Sequence, residues 1–278
     1  MTGLPDPSPL PVYDSSRRGI PALEELRELL RYRNLVFQSA RRNIVVRYKR
    51  SVLGVAWTML NPLGTTLILS FVFSRVFGGT ASYAVYVLSG LLCWVFFAQT
   101  TSDCMASIIW GGGLMKRIYI PHTAFAVSSI ATGLVNVMLG FVPLLLVMLL
   151  TGVPPRWSML VLPIPLFFLA CFALGIGLLM SSFAIYFTDV TEMYGILLTA
   201  WMYLSPVIYT RKMLPEQYSW IVLLNPMYHI ITLFRTPIYD GVAPPLADFL
   251  LTGAVSLATL LVGWWLFTRS ADELAYRV

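Results

Sequence analysis

The sequence predicts an all-α, polytopic membrane protein with six transmembrane helices. Charged residues are 12% of the chain and the hydrophobic set is 58%, whereas an average soluble domain is about 25% charged. Several apolar runs exceed the roughly 18–20 residues that cross a bilayer core. Ten of the 19 lysines and arginines precede residue 51, directly ahead of the first long apolar run. Cations in that position set the orientation of a membrane protein. The net charge of +6 therefore argues for topology and against a nucleic-acid partner.

Residues 1–20 are Pro-rich and polar, with no apolar core of signal-peptide type, and read as a flexible cytoplasmic tail. Residues 21–44 read as an amphipathic helix within an interface region spanning 21–50. Pro21 suits a first helical turn. Leu23, Leu26, Leu30, Phe37 and Ile44 recur at steps near 3.6, Arg33 interrupts the stripe, and Glu and Arg fill the other faces. Such a helix is too charged to span; it lies in the membrane interface or packs on a soluble partner.

The predicted spans are 52–77, 83–109, 123–150, 159–187, a shorter one at 193–209, and 246–268. Arg47, Lys49 and Arg50 stand against the first span as its cytoplasmic anchor. Asn61-Pro62, a helix-breaking pair, follows only a few residues in. The stretch 218–235 is apolar but broken by Asn225-Pro226, and each half is too short to cross. It reads as a re-entrant pair of short helices, with a seventh span kinked at Pro226 as the alternative. With the amino terminus inside, 14 cations fall in internal segments and 5 in external ones, so both termini are expected inside.

The chemistry is defined largely by absence. There is no G-x-x-x-x-G-K-[ST] phosphate loop, and none of the three lysines, Lys49, Lys116 and Lys212, precedes Ser or Thr. ATP cannot bind through a Walker motif, so ATP-driven work requires another polypeptide. Cys93, Cys104 and Cys171 form no C-x-x-C pair, and His122 and His229 lie in different segments; no metal site is expected. Asp103 is the most inward carboxylate, either an interfacial acid or a polar position on a substrate path. A proton-coupled carrier is disfavoured, because no set of mid-span acids exists. Between spans two and three, "WGGGLMKRIYIPHT" offers a short amphipathic helix over Leu114–Ile120 after three glycines, or a plain basic loop. Trp94, Phe96 and Phe97 cluster, as do Trp201 and Tyr203, as interfacial bands or as faces that stack on sugar rings.

Five segments in order then carry a resemblance: "VRYKRSVLGVAWTMLNPL" (46–63), "LMKRIYIP" (114–121), "YFTDV" (186–190), "LSPVIY" (204–209) and "LNPMYHIITLFR" (224–235). Over about residues 25–270 the chain resembles the permease subunits of ATP-binding-cassette exporters for cell-surface polysaccharides: O-antigen, capsule and teichoic-acid exporters. It departs from their frequent pattern at Gly111, Thr188 and Ile120-Pro121-His122.

The resemblance implies a permease domain over 51–278, in a multi-pass protein of the bacterial inner membrane. It implies two permease copies and two separate ATPase subunits that bind ATP and Mg, with no cofactor in this chain. The coupling helix to the ATPase falls on Leu114, Met115, Lys116, Arg117, Ile118, Tyr119 and Ile120. The external gate region falls on 213–235, with Pro215, Trp220, Asn225 and Pro226. Spans one and five are prominent in the channel wall, making Trp57, Asn61, Pro62, Trp201 and Tyr203 candidate channel residues. The implied substrate is a polyprenyl-diphosphate-linked polysaccharide or teichoic-acid-like polymer. The competing functions are export of a drug or small lipid, and a membrane-embedded transferase acting on polyprenyl-linked sugars.

Overall fold

Ten α-helices, and no strand, occupy the described residues of the computed structural model, which are 21–49, 51–73, 82–115, 121, 123–187 and 189–277. The first two are α1 (Pro21–Arg31) and α2 (Arg33–Tyr48). The interface segment is thus two helices rather than one. The break is at Tyr32 (φ −92°, ψ 19°), beside the arginine that interrupts the apolar stripe. The chain then turns through residues 51–55 into α3 (Ala56–Phe73). α4 (Tyr83–Met115) and α5 (Thr123–Leu150) follow, then a 3-10 turn (Trp157–Val161) leading into α6 (Pro163–Tyr186). α7 (Val190–Leu204), α8 (Ser219–Leu223), α9 (Pro226–Tyr239) and α10 (Leu246–Arg277) complete the order.

Five helices are long and apolar enough to cross a bilayer: Ala56–Phe73, Tyr83–Ile109, Thr123–Leu150, Trp157–Tyr186 and Leu246–Ser270. The remaining predicted span, 193–209, is helical only as α7. Its 15 residues rise about 22 Å, short of a hydrocarbon core of about 30 Å. Ser205-Pro206 ends it: the residue before a proline is pushed out of the helical region, and Ser205 is extended (φ −98°, ψ 135°).

α4 is the most buried of the five and forms the axis of the fold. Its Val85, Leu88, Phe97 and Ile108 are fully enclosed against α5, α6 and α9. Trp94, Phe97, Phe172 and Trp201 form one interior cluster. Phe97 of α4 stacks on Phe172 of α6 with centroids 5.4 Å apart, and Trp201 of α7 meets Phe97 edge-on at 5.1 Å. Such contacts add about 0.5–1.5 kcal/mol each beyond area burial. Tyr194 of α7 donates to Thr101 Oγ1 of α4 at 2.8 Å, fixing the short helix to the axis.

α6 and α10 make the closest crossing. A Cβ on Gly175 would lie 2.6 Å from the Thr259 backbone, and one on Gly263 would lie 2.1 Å from the Gly175 carbonyl oxygen. Only glycine lets the two backbones touch. This is the small-residue packing that replaces hydrophobic drive between helices in lipid.

Candidate functional site

The sequence places Arg47 before the first span and Asp103 far along the second. The fold joins them: Arg47 Nη2 donates to Asp103 Oδ2 at 2.8 Å. Gln99, one turn earlier on α4, accepts from both Arg47 Nη1 and Nη2 at 3.0 Å when its amide oxygen faces the guanidinium, the orientation that satisfies both groups. Beneath this trio lies a cavity of about 350 Å³. α3 contributes Trp57, Asn61 and Pro62, α4 contributes Phe96, Gln99 and Asp103, and α5 contributes Gly133 and Asn136. Asn136 Oδ1 is buried there without a hydrogen-bond partner among the described residues. Gly133 lets α5 close on α4, since a Cβ on it would meet Thr100 Cγ2 at 2.4 Å and Phe96 at 3.0 Å. A second cavity of about 540 Å³ lies on the other side of Gln99 and Asp103, reached by Thr65, Trp94 and Leu198.

At the opposite end of α4, the irregular segment after α7 is held by a clamp. Four successive carbonyls accept from side chains. Arg235 donates to Pro206 O and Val207 O, each at 3.0 Å. Tyr83 donates to Ile208 O at 3.1 Å and Tyr86 to Tyr209 O at 2.9 Å. The Arg235 guanidinium is buried and stands 3.6 Å over the Tyr86 ring. Burial pushes its pKa below the ordinary arginine value, and Tyr86 opposes that shift. Unpaired backbone is not tolerated in an apolar interior; the clamp lets a non-helical segment stay inside the protein.

Asn225 ties the same region to α7. Its Oδ1 accepts from Met227 N at 3.0 Å, capping α9, and from Trp201 Nε1 at 2.8 Å. Its Nδ2 donates to Ser205 Oγ at 2.8 Å. Pro226 takes the first helical position, where its missing N–H costs nothing. His229 and the Leu223 carbonyl, 2.8 Å apart, close α8 onto α9.

The profile of the ABC-2 type transporter family matches residues 34–239, a stretch that contains both the cavity and the clamp. The chain belongs to the ABC-2 type transporter family. This ABC-2 chain is 26% identical over 254 residues to an O-antigen export system permease protein RfbA of Myxococcus xanthus, covering 90% of this chain and 97% of that protein. It is 28% identical to an RfbA of Klebsiella pneumoniae over 72% of this chain and 78% of that one. It is 24% identical to the polysialic acid transport protein KpsM of Escherichia coli, over 84% and 91%.

In this ABC-2 chain the residues singled out from sequence fall in different places. Trp57, Asn61 and Pro62 line the first cavity together with Arg47. Asn61-Pro62 does not break α3, which continues through it to Phe73. Trp201 lines neither cavity; it is drawn into the interior by the aromatic cluster and its bond to Asn225. Tyr203 is exposed, as is Lys49. Pro215 precedes a 3-10 turn over Glu216–Tyr218, and Trp220 of α8 is exposed. Leu114 and Met115 end α4, while Arg50 and the rest of the coupling segment, Lys116–Ile120, lie outside the described residues. Among the described residues, no three His, Cys, Asp or Glu side chains gather to hold a metal, and all three cysteines are free and buried. Gln99, Asn136, Tyr83, Tyr86 and Arg235 were not legible as site residues. Gln99, Tyr83, Tyr86 and Arg235 act through partners distant in the sequence, and Asn136 through a cavity shared with two other helices; a single span's periodicity encodes neither.

Proposed function

We propose that this chain is the transmembrane subunit of an ATP-driven exporter that moves a polyprenyl-diphosphate-linked polysaccharide across the cytoplasmic membrane. The observation that carries this is a cavity walled by amides, an ion pair and a tryptophan between apolar spans, in an ABC-2 chain whose relatives are named for O-antigen, polysialic acid and capsule export. The absence of a phosphate loop supports a transport subunit served by a separate ATPase that holds ATP and Mg. Two permease copies and two ATPases make the working assembly. Both termini are cytoplasmic, and α7 with the clamped segment 205–209 makes the fifth of six crossings. α8 and α9 form the external gate, and residues 114–120 dock on the ATPase. A teichoic-acid-like polymer fits the same reading.

The test is reconstitution with the ATPase in vesicles loaded with the lipid-linked glycan. ATP-dependent transfer across the bilayer is expected. Hydrolysis of ATP by the permease alone would overturn the subunit reading. Ile118→Asp is expected to abolish ATPase pull-down, because a fully buried apolar side chain is worth about 1.5–3 kcal/mol. Lys116→Ala is expected to be mild, because an exposed ion pair is worth about 0–1 kcal/mol. Equal pull-down by both variants would move the docking site elsewhere.

A further inference from the structure

Two contacts tie the amino-terminal helices to the membrane helices, and they fall on either side of one short stretch of sequence. The first is at the start of α5. Thr123 N is one of the amides that a helix cannot satisfy by itself, and Glu25 Oε1 of α1 accepts from it at 3.3 Å. A carboxylate is favoured there, at the positive end of the helix dipole. The second contact is the bond of Arg47 to Asp103 and Gln99 of α4. α4 ends at Met115 and α5 begins at Thr123, so the α1–α2 pair bridges the two helices that flank residues 116–120. α2 also lies along α5, with Ala40 buried, and α1 reaches α10.

α3 is held more lightly. It buries Pro62 and Thr66 alone among its described residues, and cavities of about 350 and 540 Å³ open between it and α4. Little packing opposes a shift of this helix as a body. Its entry is more firmly built. Gly54 N, in a residue of left-handed backbone (φ 49°), donates to Ser51 Oγ at 3.0 Å, and Ala56 N donates to Leu53 O at 3.0 Å. This folded elbow leaves only a short stretch of chain between Arg47 and α3.

We infer that Glu25 and Arg47 are positioning residues for transport: through them the α1–α2 pair carries a movement of α4 and α5 to α3 and widens the cavity under Arg47. The inference rests on the ATP-driven export reading, which supplies the movement, and deepens it. Asp103 stands twelve residues, about 18 Å, before the end of α4, whereas Thr123 is the tip of α5. A tilt of one helix against the other therefore draws the two tethers by different amounts and turns the α1–α2 pair.

The experiment uses the full chain with its ATPase in vesicles, and the readout is glycan exported per ATP hydrolysed. Glu25→Leu and Arg47→Asp are each expected to lower that ratio about threefold and together about tenfold, as weak and partly exposed contacts allow. Glu25→Gln keeps an acceptor for Thr123 N and is expected to stay near the wild type. Arg47→Asp combined with Asp103→Arg restores the pair in reverse and is expected to recover most of the loss, a rescue that a plain folding defect does not give. A second measurement uses the permease alone in nanodiscs, without Cys93, Cys104 and Cys171. Nitroxides on Leu67→Cys of α3 and Leu257→Cys of α10, both exposed positions, report where α3 lies by pulsed electron resonance, with labelled chains diluted in unlabelled ones. Glu25→Leu with Arg47→Asp is expected to broaden the distance distribution. An unchanged export ratio in that double variant, no recovery in the reversed pair, or an unchanged distance distribution overturns the tethers. A wild-type complex that exports no glycan overturns the export reading, and the distance measurement then decides the tethers on the permease alone.

Discussion

Replacing Arg235 with Met tests whether the carbonyl clamp holds the segment after α7. Met keeps most of the volume and removes the fork. Pro206 O and Val207 O then lose their donors, at about 1–3 kcal/mol for each orphaned buried acceptor. The contact over Tyr86, worth about 2 kcal/mol when desolvated, is lost as well. Relief from burying a charge offsets several kcal/mol of this, and Tyr83 and Tyr86 still hold the next two carbonyls. The expected net cost is about 3 kcal/mol, roughly a 100-fold increase in local opening. Arg235→Lys keeps the charge but cannot serve two carbonyls with a planar fork, and should fall between. The assay places a cysteine at Val207, which is fully buried, in a background without Cys93, Cys104 and Cys171. Maleimide labelling is timed in nanodiscs, open to both faces. Labelling should accelerate about 100-fold in Arg235→Met, in line with the same opening estimate. A wild-type labelling rate together with an unchanged melting temperature would refute the reasoning.

Asn225→Ala removes a helix cap and the bonds to Trp201 and Ser205. A loss of about 2 kcal/mol in thermal unfolding is expected, and a change within error would show that the knot carries little. A double-mutant cycle on Arg47→Gln and Asp103→Asn should give a coupling of about 0.2–1 kcal/mol, since both side chains are about a third exposed; a zero coupling at low salt would remove the pair from the site. Gly263→Ala should lower folded yield and cost about 1–3 kcal/mol by overpacking, because the added methyl meets the Gly175 carbonyl. Wild-type melting would show that the crossing relaxes freely.

What could be read from the sequence was what a single segment encodes. Apolar length marks α3, α4, α5, α6 and α10 as spans, because the bilayer imposes a minimum length on each helix independently. The two Asn-Pro pairs show where that reasoning stops. Both look like helix breakers. At Asn225-Pro226 the asparagine caps α9 and the proline opens it. At Asn61-Pro62 the helix runs on, with Pro62 buried against the cavity. The dipeptide is the same; what differs is the asparagine's backbone, which is extended as an N-cap at Asn225 (φ −80°, ψ 112°) and helical at Asn61. Arg47–Asp103 and the clamp were illegible for a related reason. Their partners are 56 residues apart in the first case and on three separate elements in the second, and no local period connects them.

The contact between Gly175 and Gly263 has a consequence for how the protein is made. α6 enters the membrane well before α10, and three further helices and the turns around them are synthesised in between. During that interval the notch at Gly175 has no filler, since the backbone that belongs in it comes later, on α10. A bare glycine groove in lipid is an open docking place for any other small-residue helix in the bilayer. α10 thus completes a joint that had stood open while α7, α8 and α9 were synthesised. A membrane chaperone or protease that inspects nascent transporters would find this groove exposed in every unfinished chain and hidden in every finished one.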